Sequence, residues 1–262
     1  MSTLLIELAG PQQAWGSRSR FAVRATELAP TRSGVIGLIA AALGYERTAS
    51  LERFAPLRFG VRIDQPGTLE RDFQTARSLD GSTAFPLSQR FYLADAVFLA
   101  GLESDDESEL RAFRDALARP YFPLFLGRRA FPPAGPLRTD IVAEPLEAAL
   151  RSAAWRSRAH HLRRLRREPS VSLQLVLDVR PGDPAGESRR DVPVSFDPRR
   201  REYGWRDLRI ETVTIANPLA VPEGRDDDPE ISGAPRVAAT TSRLLGSPTD
   251  HDPETLLSDE EV

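Results

Sequence analysis

The sequence predicts an α+β fold of the ferredoxin-like class, with the element order βαββαβ in its first half. Period-two strand patterns alternate there with helix patterns. A long stretch without clear periodicity, residues 65–90, separates two of the strands. At 262 residues, the chain is also long enough for such a domain and a smaller second region. RNA-recognition modules share this sheet topology.

The first two elements are a short apolar strand and a buried helix. The apolar run at residues 4–8 predicts the strand. Residues 33–43 are apolar on nearly every side, which predicts a helix enclosed by the core. Thr31 or Ser33 is suited to cap its start, and Gly44 follows its end.

The remaining elements of the first half follow in order. Residues 57–64 alternate apolar and polar side chains, which predicts a strand with one face in water. The next strand is expected at residues 91–100, and residues 65–90 between them exceed the roughly 2–5 residues of a hairpin loop. They are therefore a functional or a disordered insertion. An acidic first turn and apolar spacing predict a helix from Asp105, and residues 122–126 predict the fourth strand.

The second half is more irregular. We expect a smaller β-rich region at residues 132–216, after a first domain at residues 1–131. Its strands are predicted at residues 172–179, 192–196 and 208–215. Residues 217–262 contain no aromatic side chain and are strongly acidic, which predicts a disordered tail.

Residues 151–167 carry seven arginines and no acidic residue. The stretch is typical of a helix, but its arginines are distributed around the whole circumference. Polyanion binding and plain solvent exposure explain such a run about equally well.

The basic residues are unusual because all 35 are arginine. The chain has no cysteine, which excludes cysteine nucleophiles, disulfides and thiolate metal sites. The absence of lysine excludes Schiff-base chemistry and the phosphate-binding loop of nucleotide triphosphatases. Codon bias in a GC-rich genome explains most of this composition. Guanidinium groups nevertheless bind phosphate bidentately and stack on bases better than ammonium groups do.

The charge is unevenly distributed. Residues 1–219 hold 32 arginines against 27 acidic residues, whereas residues 220–262 hold 3 against 11. A mildly basic body with an acidic appendage suggests that the body faces a polyanion. The first residues lack the basic region of a signal peptide, and no window approaches the roughly 20 apolar residues of a membrane helix. We therefore expect a soluble, cytoplasmic protein without membrane contact.

Two segments have side chains suited to nucleic-acid contact. One is the loop before the first predicted helix, and the other is the start of that helix. Residues 31–34 combine hydroxyls, an arginine and backbone N–H groups at a helix N-terminus, where phosphates bind. Ordinary helix capping explains them equally well. The loop at residues 12–24 mixes arginines, amides and a tryptophan, as single-stranded nucleic acid requires. A tryptophan in such a loop is, however, more often packed into the core.

Catalytic candidates are few. His160 and His161 are adjacent and cannot share one helix face, while His251 lies in the acidic tail. Metal-independent RNA cleavage needs a positioned acid or base, but solvated histidines are the better interpretation here. We find no carboxylates with which these residues would form a metal site, so neither a metal nor a cofactor is expected.

Five blocks of the sequence resemble a known family. The blocks are LAGPQQAWG at 8–16, PTRSGVIGLIAAALG at 30–44, DFQT at 72–75, SQRFYLADA at 88–96 and LGRRAFPP at 126–133. Together they resemble the CasD family, whose members hold the 5′ handle of the crRNA in type I-E CRISPR Cascade complexes. The resemblance runs from residue 4 to about residue 215, although the family often has lysine in place of Arg32 and cysteine in place of Phe131.

The resemblance implies a RAMP-type ferredoxin-like domain with a thumb β-hairpin at about residues 65–90 and a smaller C-terminal β region. It implies an RNA-binding structural subunit that caps the Cascade backbone, adjoins the backbone subunit CasC and helps to seat the large subunit CasA. Target DNA would be met only through the complex. Because a separate subunit cuts the handle in type I-E systems, we expect no catalytic activity. The related type I-C subunit is a nuclease, so a repeat-specific, metal-independent endoribonuclease is the alternative.

From these blocks and their chemistry we predict a set of RNA-binding residues. The arginines, Ser33 and Gly34 are expected near guide phosphates, and Gln13 and Trp15 are expected to stack on or recognise handle bases. The predicted set is Gln13, Trp15, Arg18, Arg20, Arg24, Arg32, Ser33, Gly34, Arg90, Arg128 and Arg129.

Overall fold

The structure is a computed structural model that describes residues 1–16, 23–180, 182–184 and 186–221. These residues form eleven strands and four α-helices, with a 3-10 turn at Glu52–Phe54. In chain order the strands are β1 (Ser2–Ala9), β2 (Gln12–Gln13), β3 (Val23–Arg24), β4 (Arg58–Gln65), β5 (Thr68–Arg77), β6 (Ala84–Ala94), β7 (Val97–Ser104), β8 (Thr139–Val142), β9 (Ser170–Asp178), β10 (Glu187–Ser195) and β11 (Glu202–Ala216). The helices are α1 (Arg32–Ala42), α2 (Glu107–Ala118), α3 (Leu146–Ser152) and α4 (Ala159–Arg164).

Two sheets organise these elements. The larger sheet has the order β10-β11-β9-β4-β7-β1-β8, and every neighbouring pair in it is antiparallel. The smaller sheet is built on β6, which pairs with β2, β3 and β5. The fold is therefore strand-rich and mixed α/β, with few helices.

The larger sheet buries side chains on both faces because successive side chains of a strand point to opposite sides. In β1, Leu4, Ile6 and Leu8 belong to a core that includes α1 and α2. Leu5 faces a second core formed with α3 and the segment that follows it. Both faces of the central strands are thus covered by helices.

Helix α1 matches its prediction closely. The Oγ1 of Thr31 accepts a hydrogen bond from the backbone N–H of Gly34 at 3.2 Å, so Thr31 is the N-cap. Gly44 follows the helix with a φ of +80°, a conformation that glycine adopts without steric cost.

The prediction that β4 has one face in water is wrong. Arg62 and Asp64 are only 0% and 1% exposed. Arg62 donates two hydrogen bonds to Asp64, at 2.6 and 2.9 Å, and others to the carbonyls of Leu150, Ala153 and Ala154. A later part of the chain therefore covers the polar face of this strand.

Residues 65–90 contain most of a long β-hairpin. β5 and β6 pair from Thr68↔Ala94 to Arg77↔Ala84, and the tip lies between them. The strand predicted at residues 91–100 is in fact divided between the end of β6 and the start of β7. Asp95, with a φ of 55°, separates the two.

The strand predicted at residues 122–126 is absent, and β8 forms the outer strand beside β1 instead. Leu126 explains why this segment does not join the sheet. Its N–H donates to the carbonyl of Phe131 at 2.7 Å, and its carbonyl accepts from the N–H of Ala14 at 3.1 Å. Because the N–H and the carbonyl of Leu126 bond to a turn and to a loop, they do not pair with a strand of the sheet.

The C-terminal strands extend the larger sheet, because β9 pairs with β4. The single helix predicted at residues 151–167 is not formed. α3 ends at Ser152 and α4 begins at Ala159, with extended chain between them that is held by Arg62 and by the buried Trp155. The predicted disordered tail lies outside the described residues from residue 222 onward. Among the helices described, none has the length and apolarity to cross a membrane.

Candidate nucleic-acid interface

A cavity of about 510 Å³ lies between the β5–β6 hairpin and the turn at residues 127–131. We call it the hairpin cleft. Its walls combine arginines, amides, one carboxylate and two aromatic rings. The lining residues are Gln12, Asp72, Gln74, Arg90, Tyr92, Arg128, Arg129, Ala130 and Phe131.

The turn that presents Arg128 and Arg129 depends on Gly127. Its φ is +87°, and a Cβ at this position would lie 1.6 Å from the carbonyl oxygen of Ala14. Only glycine satisfies both conditions. The turn closes with a 2.9 Å hydrogen bond from the N–H of Phe131 to the carbonyl of Arg128. The loop after β1 therefore fixes the position of the two arginines.

Arg128 joins the parts of the cleft. Its guanidinium donates to the carbonyls of Arg24 and Phe91 at 3.1 and 2.9 Å. The same group lies 5.6 Å from the ring centroid of Phe131, and that ring is 5.5 Å from the ring of Tyr92. A guanidinium and two aromatic rings thus form a row of flat groups on one wall.

The cleft carries uncompensated positive charge. Partial burial lowers the pKa of Arg128, and the neighbouring Arg90 and Arg24 lower it further, while Asp72 opposes them. Since arginine stays protonated at physiological pH, this direction reports a cation that is partly desolvated and also repelled by its neighbours, and a bound anion would stabilise it. Within the described part of the chain, none of Arg24, Arg90, Arg128 and Arg129 forms an ion pair.

The structure brings together four of the predicted residues, Arg24, Arg90, Arg128 and Arg129. β3 pairs with β6 so that Arg24 is opposite Arg90. Arg18 and Arg20 lie outside the described residues. The other five predicted residues are buried or close to buried, and they contact protein atoms.

Gln13 and Trp15 fasten the loop after β1 to the core. Gln13 is fully buried, and its Nε2 donates to the carbonyls of Leu8 and Ala96 at 3.1 and 2.8 Å. Its Oε1 accepts from the indole N–H of Trp15, which is 1% exposed. A Cβ at Gly34 would lie 2.7 Å from the Trp15 ring. The predicted contact of Gln13, Trp15 and Gly34 with RNA does not fit this geometry.

Arg32 is also an internal residue. Its guanidinium donates to Asp178 at 3.0 Å and to the carbonyls of Phe54, Ala55 and Leu57. Its backbone N–H donates to the carboxylate of Asp191 at 2.9 Å.

The start of α1 therefore already holds an anion, the Asp191 carboxylate. Arg206 donates to both Asp178 and Asp191, which completes a buried network of two arginines and two carboxylates. With Ser33 only 9% exposed beside Arg32, the predicted phosphate site at residues 31–34 does not fit this structure.

Sequence reasoning missed six lining residues, Gln12, Asp72, Gln74, Tyr92, Ala130 and Phe131. A partial signal for the three on the hairpin was present. Residues 72 and 74 alternate on β5 as residues 90 and 92 do on β6, and the register places Asp72 opposite Arg90. Alternation on a hairpin puts such residues on one face.

Of the histidines, His160 and His161 lie in the described part of the chain, and neither lines the cleft. The Nε2 of His160 lies 2.9 Å from the carboxylate of Asp95. His161 contacts Trp155 edge-on at 5.9 Å, and its pKa is lowered by burial and by the nearby Arg164 and His160. The described residues contain no cluster of three or more His, Asp or Glu side chains that could hold a metal ion.

A strand-rich fold with a cationic, aromatic-lined cleft is the kind of surface that nucleic-acid-binding proteins present. The chain belongs to the family described as CRISPR-associated protein (Cas_Cas5), which matches residues 3–209. It is similar to the CRISPR system Cascade subunit CasD of Escherichia coli (strain K12), with 33% identity over 57% of this chain and 76% of that protein.

Solved structures agree with this assignment. A chain of a "CRISPR RNA-guided surveillance complex" is 33% identical with a TM-score of 0.66, covering 86% of this chain and 95% of that chain. A structure described as "Crystal structure of Cas protein" is 36% identical with a TM-score of 0.64, covering 83% and 97%.

Proposed function

We propose that this protein is an RNA-binding structural subunit of a Cascade-type CRISPR surveillance complex, and that the hairpin cleft holds the 5′ handle of the crRNA. One observation carries the proposal. Arg24, Arg90, Arg128 and Arg129 lie together beside a pair of aromatic rings, none of them in an ion pair among the described residues, and Asp72 is the one carboxylate in the cleft lining. Family membership adds the biological setting.

The chemistry of the cleft suits single-stranded RNA. Guanidinium groups bind phosphate oxygens bidentately, and bases stack on the flat faces of aromatic rings and guanidinium groups. Gln12, Gln74 and the carboxylate of Asp72 offer donors and acceptors to base edges. Gln74 already donates to Asp72 at 2.9 Å, which holds that carboxylate in place.

The fold supports the ferredoxin-like RAMP arrangement that the sequence predicts. The strand order β8-β1-β7-β4, antiparallel throughout, together with α1 and α2 is the βαββαβ order with β8 as its fourth strand. In this interpretation the first domain reaches beyond residue 131 to β8. The β5–β6 hairpin is the thumb.

Partners follow from this assignment. Exposed apolar side chains on the hairpin, among them Leu69, Phe73, Phe85 and Leu87, support a protein contact of the thumb with the backbone subunit CasC. Contact with the large subunit CasA, access to target DNA through the complex alone, and a cytoplasmic location complete the proposal.

A salt titration tests the RNA site. Binding of 5′-handle RNA is measured for the wild type and for Arg90→Ala/Arg129→Ala across salt concentrations. Each lost phosphate contact lowers the log–log slope by about 0.7 on a single strand, so the double variant is expected to lose affinity and about 1.4 of slope. Arg47→Ala/Arg119→Ala removes the same charge from exposed positions away from the cleft and serves as the control. Equal affinity and slope in both variants would refute the cleft.

We also infer that the protein does not cleave RNA, because neither His160 nor His161 lines the cleft. The alternative endoribonuclease has one supporting feature, the contact between His160 and Asp95. Incubation of the purified protein with repeat RNA in EDTA separates the two functions. A discrete product that disappears with His160→Ala would establish cleavage and overturn this inference.

A further inference from the structure

The arginine-rich segment at residues 151–167 divides into two parts. In its first part the arginines are paired with carboxylates: Arg151 with Glu211, Arg156 with Asp140 at 2.9 Å, and Arg158 with Asp95 at 3.7 Å. The second part contains four exposed arginines, of which Arg167 has an interaction of its own. The other three are Arg163, Arg164 and Arg166, which form no ion pair among the described residues, although Arg164 lies 3.4 Å from the Nδ1 of His161. We call them the α4 platform.

The chain leading into the platform is firmly held. Trp155 is buried, and its indole N–H donates to the carbonyl of Asp64 at 2.8 Å. The Oε1 of Gln65 accepts from the hydroxyl of Ser157 and from the backbone N–H of Arg158, at 2.9 and 3.2 Å. Side chains of β4 thus fix the backbone immediately before α4.

The chain leaving the platform is held as well. The Nδ2 of Asn217 donates to the carbonyls of Leu165 and Glu168 at 2.8 and 3.0 Å. The N–H of Val221 donates to the carbonyl of Arg166 at 2.9 Å. Leu162 and Leu165 pack against the second core. Three unpaired cations are therefore presented by a backbone fixed on both sides, which lowers the entropy lost when an anion binds.

The segment just before the platform is linked to the edge of the hairpin cleft. Asp95 contacts both His160 and Arg158 from the α4 side. Its backbone N–H donates to the carbonyl of Pro11 at 2.9 Å. The preceding residue of β6 pairs with Gln12, which lines the cleft. The turn at Asp95 thus connects the edge of the hairpin cleft with the segment that leads into the α4 platform.

We propose that Arg163, Arg164 and Arg166 form a second nucleic-acid site, which binds the phosphodiester backbone of a strand that extends beyond the hairpin cleft. The proposal rests on the proposed function, because the cleft orients the strand. It assigns no base recognition to these arginines, since their contribution is charge on an exposed surface. The guide RNA past its handle and duplex DNA share this chemistry.

The test uses the full chain and three probes: handle RNA, the same RNA extended by oligouridine, and a DNA duplex. The variant is Arg163→Ala/Arg164→Ala/Arg166→Ala. It is expected to bind handle RNA as the wild type does and to bind extended RNA roughly tenfold more weakly, with a salt slope smaller by about 2. Arg47→Ala/Arg114→Ala/Arg119→Ala removes equal charge on the α1–α2 side and controls for net charge.

The outcomes separate the possible ligands. Loss confined to extended RNA identifies the guide as the source, and loss confined to duplex DNA identifies DNA, and both support the site. Unchanged binding of all three probes overturns the proposed site. The three arginines would then face an acidic protein partner or only solvent. Equal loss on handle RNA and extended RNA also overturns it, because the arginines then act within the handle site. Failure of the Arg90→Ala/Arg129→Ala test with success here would refute the cleft alone.

Discussion

Arginine has different roles in the interior of this protein and on its surface. Arg32, Arg62 and Arg206 are at most 8% exposed, and each donates to a carboxylate. Arg90, Arg128 and Arg129 surround a cleft and have no carboxylate partner among the described residues. Composition cannot tell these two sets apart. Whether an arginine stabilises the fold or remains available for a ligand depends on which groups its guanidinium contacts.

The causes of the pKa shifts of Arg206 and Arg128 illustrate this difference, although burial also lowers the pKa of the internal Arg32. Burial acts to lower the pKa of Arg206, but hydrogen bonds to Asp191 and the charge of Asp178 raise it above its ordinary value. For Arg128 burial and two neighbouring cations lower the pKa together. Arg206 is stabilised by its carboxylate partners, whereas Arg128 is partly desolvated and repelled by neighbouring cations.

The largest effect is expected for Arg62→Ala. The substitution leaves Asp64 buried without its partner and removes the donors to the carbonyls that follow α3. Breaking a buried pair in this way costs about 3–5 kcal/mol. Urea unfolding measures it, with Arg129→Ala, an exposed arginine, expected within about 0.5 kcal/mol of the wild type. Similar stabilities for the two variants would erase the distinction between interior and surface arginines.

Gly127→Ala is expected to distort the turn that positions Arg128 and Arg129. The positive φ alone costs about 1–2 kcal/mol, and the clash with the Ala14 carbonyl forces the turn to move. We expect lower stability together with weaker RNA binding, since Arg128 and Arg129 shift. Gly81→Ala is the matched control, because its φ is +73° with no atom within 4 Å of the new Cβ. It should lose some stability and retain RNA binding.

Arg128→Ala should lower RNA affinity more than it lowers stability. It removes one cation, so the salt slope should fall by about 0.7. It also removes donors to two carbonyls, each worth about 1 kcal/mol. Titration with handle RNA and thermal unfolding measure the two effects. If Arg128→Ala unfolds at a much lower temperature but binds RNA normally, Arg128 has a structural role like that of the interior arginines.

The smallest effect concerns Asp80 at the tip of the hairpin, a carboxylate stabilised without arginine. Hydrogen bonds from the hydroxyls of Ser78 and Ser82 lower its pKa to about 2. The stabilisation of the tip is thus complete above the ordinary value of about 3.9 and is lost as the pH falls through about 2. The protection of the tip amides, measured against the intrinsic exchange rate at each pH, should fall in this range, and Asp80→Asn should remove this pH dependence. Faster exchange throughout the molecule would contradict a local role.

The sequence predicted the elements whose local pattern is sufficient. α1 is the clearest example, since its apolar surface, its cap and its terminal glycine are all local signals. The polar face of β4 was mispredicted because alternation reports which side chains share a face but not what covers that face. Arg62 is covered by residues about ninety positions later in the chain. The strand predicted at residues 122–126 failed because Ala14 and Phe131 use its backbone groups.

The site shows the same division. Arg90, Arg128 and Arg129 lie in blocks with a clear chemistry, and the structure places all three in the cleft, while their contact with RNA stays a prediction. Trp15 and Arg32 lie in equally distinctive blocks but serve the core, and local sequence carries no signal of Asp178 or Asp191. The cleft residues on the hairpin depended on the register of β5 with β6, which single strands do not reveal.

The carboxylate of Asp191 at the start of α1 has a consequence for how this chain can be divided. Arg32 depends on Asp178, and the first turn of α1 depends on Asp191, so the N-terminal helix is completed by strands more than 140 residues away. A fragment ending near residue 131 would expose a buried guanidinium and an empty helix end. We therefore expect a chimera of two relatives to fold well only if α1 is exchanged together with β9 and β10. The two halves of the chain depend on each other for stability.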